Sequence, residues 1–143
     1  MQRLLHEQVY LDTNIFIAAV EAFNTVALEL FRMAERGLVF LVTSEVTRGE
    51  LLVKPLMNGD DALARKYETM FDDPNRLTTI PVDKPVIEAA ARLSATAGLE
   101  LLDAVHCATA DVAACAYILS EDRDMRTYAE IDVLSLSDLE VAA

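Results

Sequence analysis

Four carboxylates, Asp12, Glu50, Asp103 and Asp122, fall on four separate segments of the 143-residue chain, each near the end of a β-type run or early in a helix. Gathered at one point they would repel. Two like charges about 4 Å apart cost about 4 kcal/mol at an effective dielectric of about 20. Such a cluster persists with bound divalent metal or with raised carboxyl pKa values. Oxygen ligands without His or Cys suit Mg²⁺ or Mn²⁺, not zinc. Sites of that kind activate a water and stabilise the leaving group of a phosphodiester, by one or two metals. No His or Lys base is needed, which fits a chain with only two histidines.

Neighbouring polar residues admit two readings each. Asn14 either caps the helix after Asp12 or orients Asp12 and a metal-held water. Ser120 either hydrogen-bonds a site carboxylate or ends its strand. Asp124 is as well explained by an exposed helix start as by the metal site. Glu45 competes with Glu50 but also complements the start of its own helix. His106 lies one turn after Asp103, and a lone His in an alanine-rich helix is read as structural.

The elements that position these groups follow from periodicity and punctuation. Strands are expected at 8–11, 38–42, 77–80, 117–120 and 132–136. Helices are expected at 13–22, 25–36, 44–53 (ended by Pro55), 58–71, 83–97 (closed by Gly98) and 101–115, with a helical turn or two at 123–128. Strand and helix alternate from end to end, which indicates an α/β fold: three layers, α/β/α, around a mainly parallel sheet. No linker, repeat or low-complexity tract interrupts 1–143, so one domain is expected. Ligands of open parallel sheets bind outside the carboxyl ends of the strands, where Asp12 and Asp122 fall.

Composition narrows the classes. At 53% hydrophobic the chain is not disordered as a whole. The longest apolar stretches, 9–20 and 104–119, are interrupted by Asp12, Asn14, His106 and Asp111, so no membrane span is expected. Residues 1–7 lack the basic start and apolar stretch of a signal peptide, and cytoplasmic location is the expectation. Cys107 and Cys115, placed on one helix about 12 Å apart along its axis, cannot form a disulfide and read as core. A net charge of −12 opposes nucleic-acid binding unless metal or a partner offsets it. Arg48, Lys54, Arg65, Lys66, Arg123 and Arg126 are the cations nearest the acidic rim in sequence, each an ordinary surface charge or a phosphate contact.

Four blocks in order resemble one family. VYLDTNIFI at 9–17 is similar to the opening signature of PIN domains, TSEVTRGEL at 43–51 to the second block, LDAVHCATA at 102–110 to the third and LSEDRDM at 119–125 to the fourth. The resemblance covers roughly residues 8–136 and implies a sheet of four or five strands. It places the metal ligands and catalytic acids at Asp12, Glu50, Asp103 and Asp122, with Asn14, Ser120 and Asp124 in support. It also implies an Mg²⁺- or Mn²⁺-dependent endoribonuclease leaving a 5′-phosphate and a 3′-hydroxyl. Many small relatives of this kind, the VapC-like proteins, are toxins of toxin–antitoxin pairs, so a small antitoxin partner and a homodimer are expected. Glu121 departs from the pattern, which usually has Asn or a similar residue there; it is expected to point to solvent. Two rival readings remain at this point: a non-catalytic PIN-like module that binds RNA or protein, and a phosphate-monoester hydrolase of haloacid-dehalogenase type. The second needs an Asp two residues after the nucleophilic Asp, where this chain has Asn14.

Overall fold

In the first strand, β1 (Gln8–Leu11), Val9 and Leu11 point to one side and Tyr10 to the other, and all three are buried. That alternation sets the layering of the whole molecule, because a strand with both faces covered must have helices on each. The computed structural model describes residues 1–122, 124–125 and 130–141.

After β1 come α1 (Thr13–Val20), α2 (Thr25–Glu35), β2 (Phe40–Ser44), α3 (Glu45–Met57), α4 (Asp61–Phe71) and β3 (Leu77–Ile80). The chain continues through α5 (Lys84–Ala97), α6 (Leu101–Val112), β4 (Tyr117–Leu119), β5 (Asp132–Leu134) and α7 (Leu136–Val141). The strands form one parallel sheet in the order β3-β2-β1-β4-β5. The chain therefore runs outward from β1 to β3 and returns to place β4 on the other flank of β1. Between β1 and β4 lies the topological switch point, and folds of this kind take their ligands at the carboxyl ends of the strands there. The three-layer α/β/α expectation holds.

One face of the sheet packs Val9, Leu11, Leu41 and Leu119 against Phe16, Leu30, Phe31, Tyr67 and Phe71. The other packs Tyr10, Val42 and Ile118 against α6, which lies against α5 through Ala104, Val105, Ala108, Val86 and Ala90. Short alanine side chains let α5 and α6 approach closely. Among the described residues no single helix is long and apolar enough to cross a membrane.

Local chemistry explains most boundaries. Asn24, Ser44, Asp60 and Asp83 each accept a backbone N–H of the turn they open. Gly98 closes α5 in the left-handed region at φ 72°, where a side chain would be strained. Several expected boundaries were displaced. Strand β2 begins two residues later than the apolar run and includes Thr43 and Ser44, which pair with Thr79 and Ile80 of β3. The Thr43 hydroxyl lies 2.8 Å from the Leu11 carbonyl, so its polar atom is satisfied inside the sheet.

Helix α3 passes through Pro55 and ends at Met57. Pro55 lies in the last turn with its ring buried, and the N–H groups of Asn58 and Asp60 still reach the carbonyls of Lys54 and Pro55. Helix α6 stops at Val112, so Cys115 is not on the helix of Cys107; both remain buried and free. The turn that ends α6 passes through Ala114 at φ 56°. The last strand stops at Leu134, and Leu136 opens a helix that the apolar run had concealed. The helical turn expected at 123–128 falls largely outside the described residues.

Candidate active site at the sheet switch point

Asp12 follows β1 directly and caps α1, its Oδ1 accepting the Thr13 N–H at 2.8 Å. It is 7% exposed. Across the switch point Ser120, just past β4, donates its hydroxyl to Asp12 Oδ2 at 2.6 Å. The same Ser120 oxygen accepts the Asp122 N–H at 3.0 Å, and Asp122 Oδ1 accepts the Asp124 N–H at 2.9 Å. Ser120 thus ties the carboxylate of one loop to the backbone of the next. Asn14 completes the stitch: its amide donates to Asp12 Oδ2 at 3.4 Å while its carbonyl accepts the Glu121 N–H at 3.1 Å. Helix capping and orientation of Asp12 are therefore divided, with Asp12 as the cap and Asn14 as the link between loops.

Glu50 reaches the rim from the second turn of α3. Its Oε1 accepts from the Thr13 hydroxyl at 2.8 Å and from His106 Nε2 at 2.7 Å. His106 Nε2 also stands 3.7 Å from Asp12 Oδ1, and its Nδ1 is 2.5 Å from the Tyr10 hydroxyl. Burial pushes the Glu50 carboxyl up, but the bonds from His106 and Thr13 prevail and hold it below its ordinary value. Burial pushes His106 down, and here too the carboxylates prevail: Glu50, Asp12 and Asp103 together raise it.

Asp103 lies half-buried in the first turn of α6. Its carboxyl is raised, first by burial and then by the charges of Asp122 and Asp12, against the opposing pull of His106. Asp122 is exposed at the mouth. Of the four acids, Glu50 is bonded to His106, which stands 3.7 Å from Asp12; Asp103 is within electrostatic reach of His106 and Asp12, and Asp122 of Asp103.

No three His, Cys, Asp or Glu side chains among the described residues stand close enough to ligate one ion, and Glu50 is turned onto Thr13 and His106. The donor chemistry still fits Mg²⁺ or Mn²⁺. The set is oxygen-rich, the Asp103 carboxyl is raised first by burial and then by its acidic neighbours, and no Lys or Arg among the described residues pairs with any of the four acids.

Other sequence expectations meet different outcomes. Glu121 does not simply face solvent: its Oε1 accepts the Leu136 N–H at 2.7 Å, at the start of α7. Arg48 is not available to phosphate, since it bridges Glu45 and Glu68 at 2.9 and 2.7 Å and lies over the Phe71 ring. Glu45 is thereby engaged away from the rim. Lys54 is exposed on α3, Arg65 and Lys66 line a groove on α4, and Arg123 and Arg126 lie outside the described residues. Burial raises the Cys107 and Cys115 thiols to about 11 and about 12, which keeps both un-ionised. Two further residues join the rim: His106, read from the sequence as structural, and Thr13, which carries no motif signal of its own. The usable signal was spacing, since His106 follows Asp103 by three positions on one helix face.

Among curated proteins, none matches the chain in sequence. In fold it is similar to VapBC2 from Rickettsia felis, bound to a DNA fragment from its promoter, at 13% identity and TM-score 0.72, covering 90% of this chain and 98% of that one. A toxin–antitoxin complex from Klebsiella pneumoniae aligns at 17% identity and TM-score 0.68, covering 90% and 97%. DNA-bound VapBC from Salmonella typhimurium aligns at 14% and 0.69, covering 91% and 98%. The family profile described as PIN domain matches residues 9–131, most of the chain and every rim acid. On that match the chain belongs to the PIN-domain family.

Proposed function

We propose that the chain is a divalent-metal-dependent endoribonuclease and the toxin of a toxin–antitoxin pair. The observation that supports this reading is the excess of acid at the switch point: Asp12 and Glu50 share only His106 as a cationic partner, Asp103 is raised by burial and by the charges of Asp122 and Asp12, and no Lys or Arg among the described residues pairs with any of the four. A bound Mg²⁺ or Mn²⁺ would supply Lewis acidity to a water and to the scissile phosphate. Asp12 would be its fixed ligand, because Thr13, Ser120 and Asn14 hold both carboxylate oxygens in place. Asp103 and Asp122 would close the site from the other side, and Glu50 from α3. Cleavage would leave a 5′-phosphate and a 3′-hydroxyl.

The phosphate-monoester alternative is disfavoured by Asn14. Its side chain is committed between Asp12 and the Glu121 backbone, and it cannot serve as an acid.

A partner surface lies elsewhere. A groove of about 710 Å³ between α2 and α4 is lined by Phe23, Phe31 and Met70 and by Arg65, Lys66 and Arg76, the last paired with Glu35. Phe23 is 70% exposed, and Arg65 and Lys66 make no ion pair among the described residues. In a chain of net charge −12, a cation-lined apolar groove fits an acidic, amphipathic segment of an antitoxin.

The test is cleavage of a mixed RNA panel by purified protein with Mn²⁺, with Mg²⁺ and with EDTA, beside Asp12→Asn. Metal-dependent cutting lost in the variant is the expected result. Undiminished cutting by pure Asp12→Asn, or the absence of both cutting and Mn²⁺ uptake by the wild type, would sink the reading in favour of the non-catalytic module.

A further inference from the structure

His106 has a more particular position than a buried core histidine requires. It is 2% exposed, and both ring nitrogens are engaged by groups from different elements: Tyr10 on β1 and Glu50 on α3. We propose that His106, aimed by Tyr10, is a positioning residue that fixes the Glu50 carboxylate at the rim and so sets the affinity of the site for divalent metal. The inference rests on the metal-nuclease reading above.

The direction of each bond follows from donor and acceptor inventories. An ionised carboxylate only accepts, so in the neutral ring Nε2 must carry the proton that bonds Glu50. Nδ1 is then an acceptor, and the group facing it at 2.5 Å is the Tyr10 hydroxyl, which donates. Tyr10 is wholly buried, and burial raises its pKa, so the phenol keeps that proton. Thr43 and Thr47 stand on its far side, Thr43 tied in turn to the Leu11 carbonyl. A chain of polar atoms thus runs from the sheet interior to the rim, and it selects one tautomer and one ring orientation.

The consequence falls on Glu50. Its long side chain comes from α3, a different element from the α6 of Asp103, and has many rotamers when unrestrained. Thr13 and His106 both bond the same oxygen, Oε1, which leaves Oε2 as the outward one. Thr13 meanwhile gives its backbone N–H to Asp12. The two acids are therefore held at a fixed spacing before any ion arrives, which lowers the ordering cost of binding one.

The experiment pairs a metal-independent readout with a metal-dependent one. A long-range ¹H–¹⁵N spectrum of neutral His106 in the metal-free protein should show the proton on Nε2. Calorimetric titration with Mn²⁺ should show His106→Ala weakened by about 10–100-fold, the usual effect of losing an outer partner of a metal ligand. His106→Gln, which keeps a donor near the Nε2 position, should bind close to wild type. Tyr10→Phe removes one buried oxygen and should lose several-fold, and it carries the test if His106→Ala fails to fold. A neutral ring with its proton on Nδ1, or equal Mn²⁺ affinity for wild type, His106→Ala and Tyr10→Phe, would overturn the inference alone. A wild-type chain that takes up no Mn²⁺ would overturn the nuclease reading and this inference with it.

Discussion

On one face of the sheet Leu11 and Leu119 meet Phe16, Leu30 and Phe71, with Phe16 stacked on Phe71 at 5.6 Å and tilted against Phe31 at 5.5 Å. On the other, Tyr10 meets His106 and the threonines of β2 and α3, and the path ends on Glu50. Both faces are buried, yet the first is mainly apolar, Tyr67 giving its hydroxyl to Glu21 at its edge. Burying polar atoms costs free energy unless each finds a partner, so the second face gives up packing energy in order to aim side chains. Stability should therefore reside mainly on the first face, and the metal chemistry on the second.

The sharpest separation comes from Asp12→Asn. Cleavage should fall to background while the protein stays folded: Asn still caps α1 and one repelling charge is gone, which offsets the amide N–H₂ turned toward Ser120 and Asn14. A parallel collapse of the fold would mean that Asp12 is structural. On the apolar face, Phe16→Ala should cost about 3–5 kcal/mol in denaturant melts. Its Mn²⁺ affinity, measured where the protein is still folded, should not move.

The order of the elements was legible in the sequence because strand alternation and caps are local signals, and the four blocks point to the proposed acids in the same local way. Asp83 and Gly98 marked α5 at both ends, and Asp12 marked the end of β1. What was not legible depended on pairing across the fold. Thr43 and Ser44 enter β2 only because β3 lies beside them, and Pro55 is tolerated because the last turn of α3 is satisfied by the loop beyond it. Glu121 turned out to bond the start of α7, an element masked by the apolar run of β5. The role of His106 was hidden for the same reason: its two partners lie 96 and 56 positions away.

A smaller effect should come from Thr13→Val, which keeps the backbone N–H to Asp12 and removes the hydroxyl to Glu50. Calorimetry should show a loss of Mn²⁺ affinity below that of His106→Ala and no change of fold. Unchanged affinity would mean that Thr13 acts only through its backbone N–H on Asp12.

The smallest effect is in pH. His106 is raised by its carboxylate partners after burial has lowered it, so its contribution is present below the ordinary imidazole value and is lost as pH rises through its folded value. Glu50 is lowered, so its contribution is present above the ordinary carboxylate value and fades as pH falls. In EDTA the melting midpoint should therefore be higher between those two ordinary values than at mildly alkaline pH. His106→Gln should flatten that slope on the alkaline side. An equal slope in the variant would place the pH dependence elsewhere.

The account stands or falls on where a divalent ion sits. Crystals soaked in Mn²⁺ and measured at the manganese edge would locate it directly. The predicted result is an anomalous peak bounded by Asp12 and Asp103, with Glu50 or Asp122 as the next oxygen neighbours and Asp12 at ligand distance. No peak at saturating Mn²⁺, or a peak remote from Asp12, would contradict the assignment of the switch point as the metal centre.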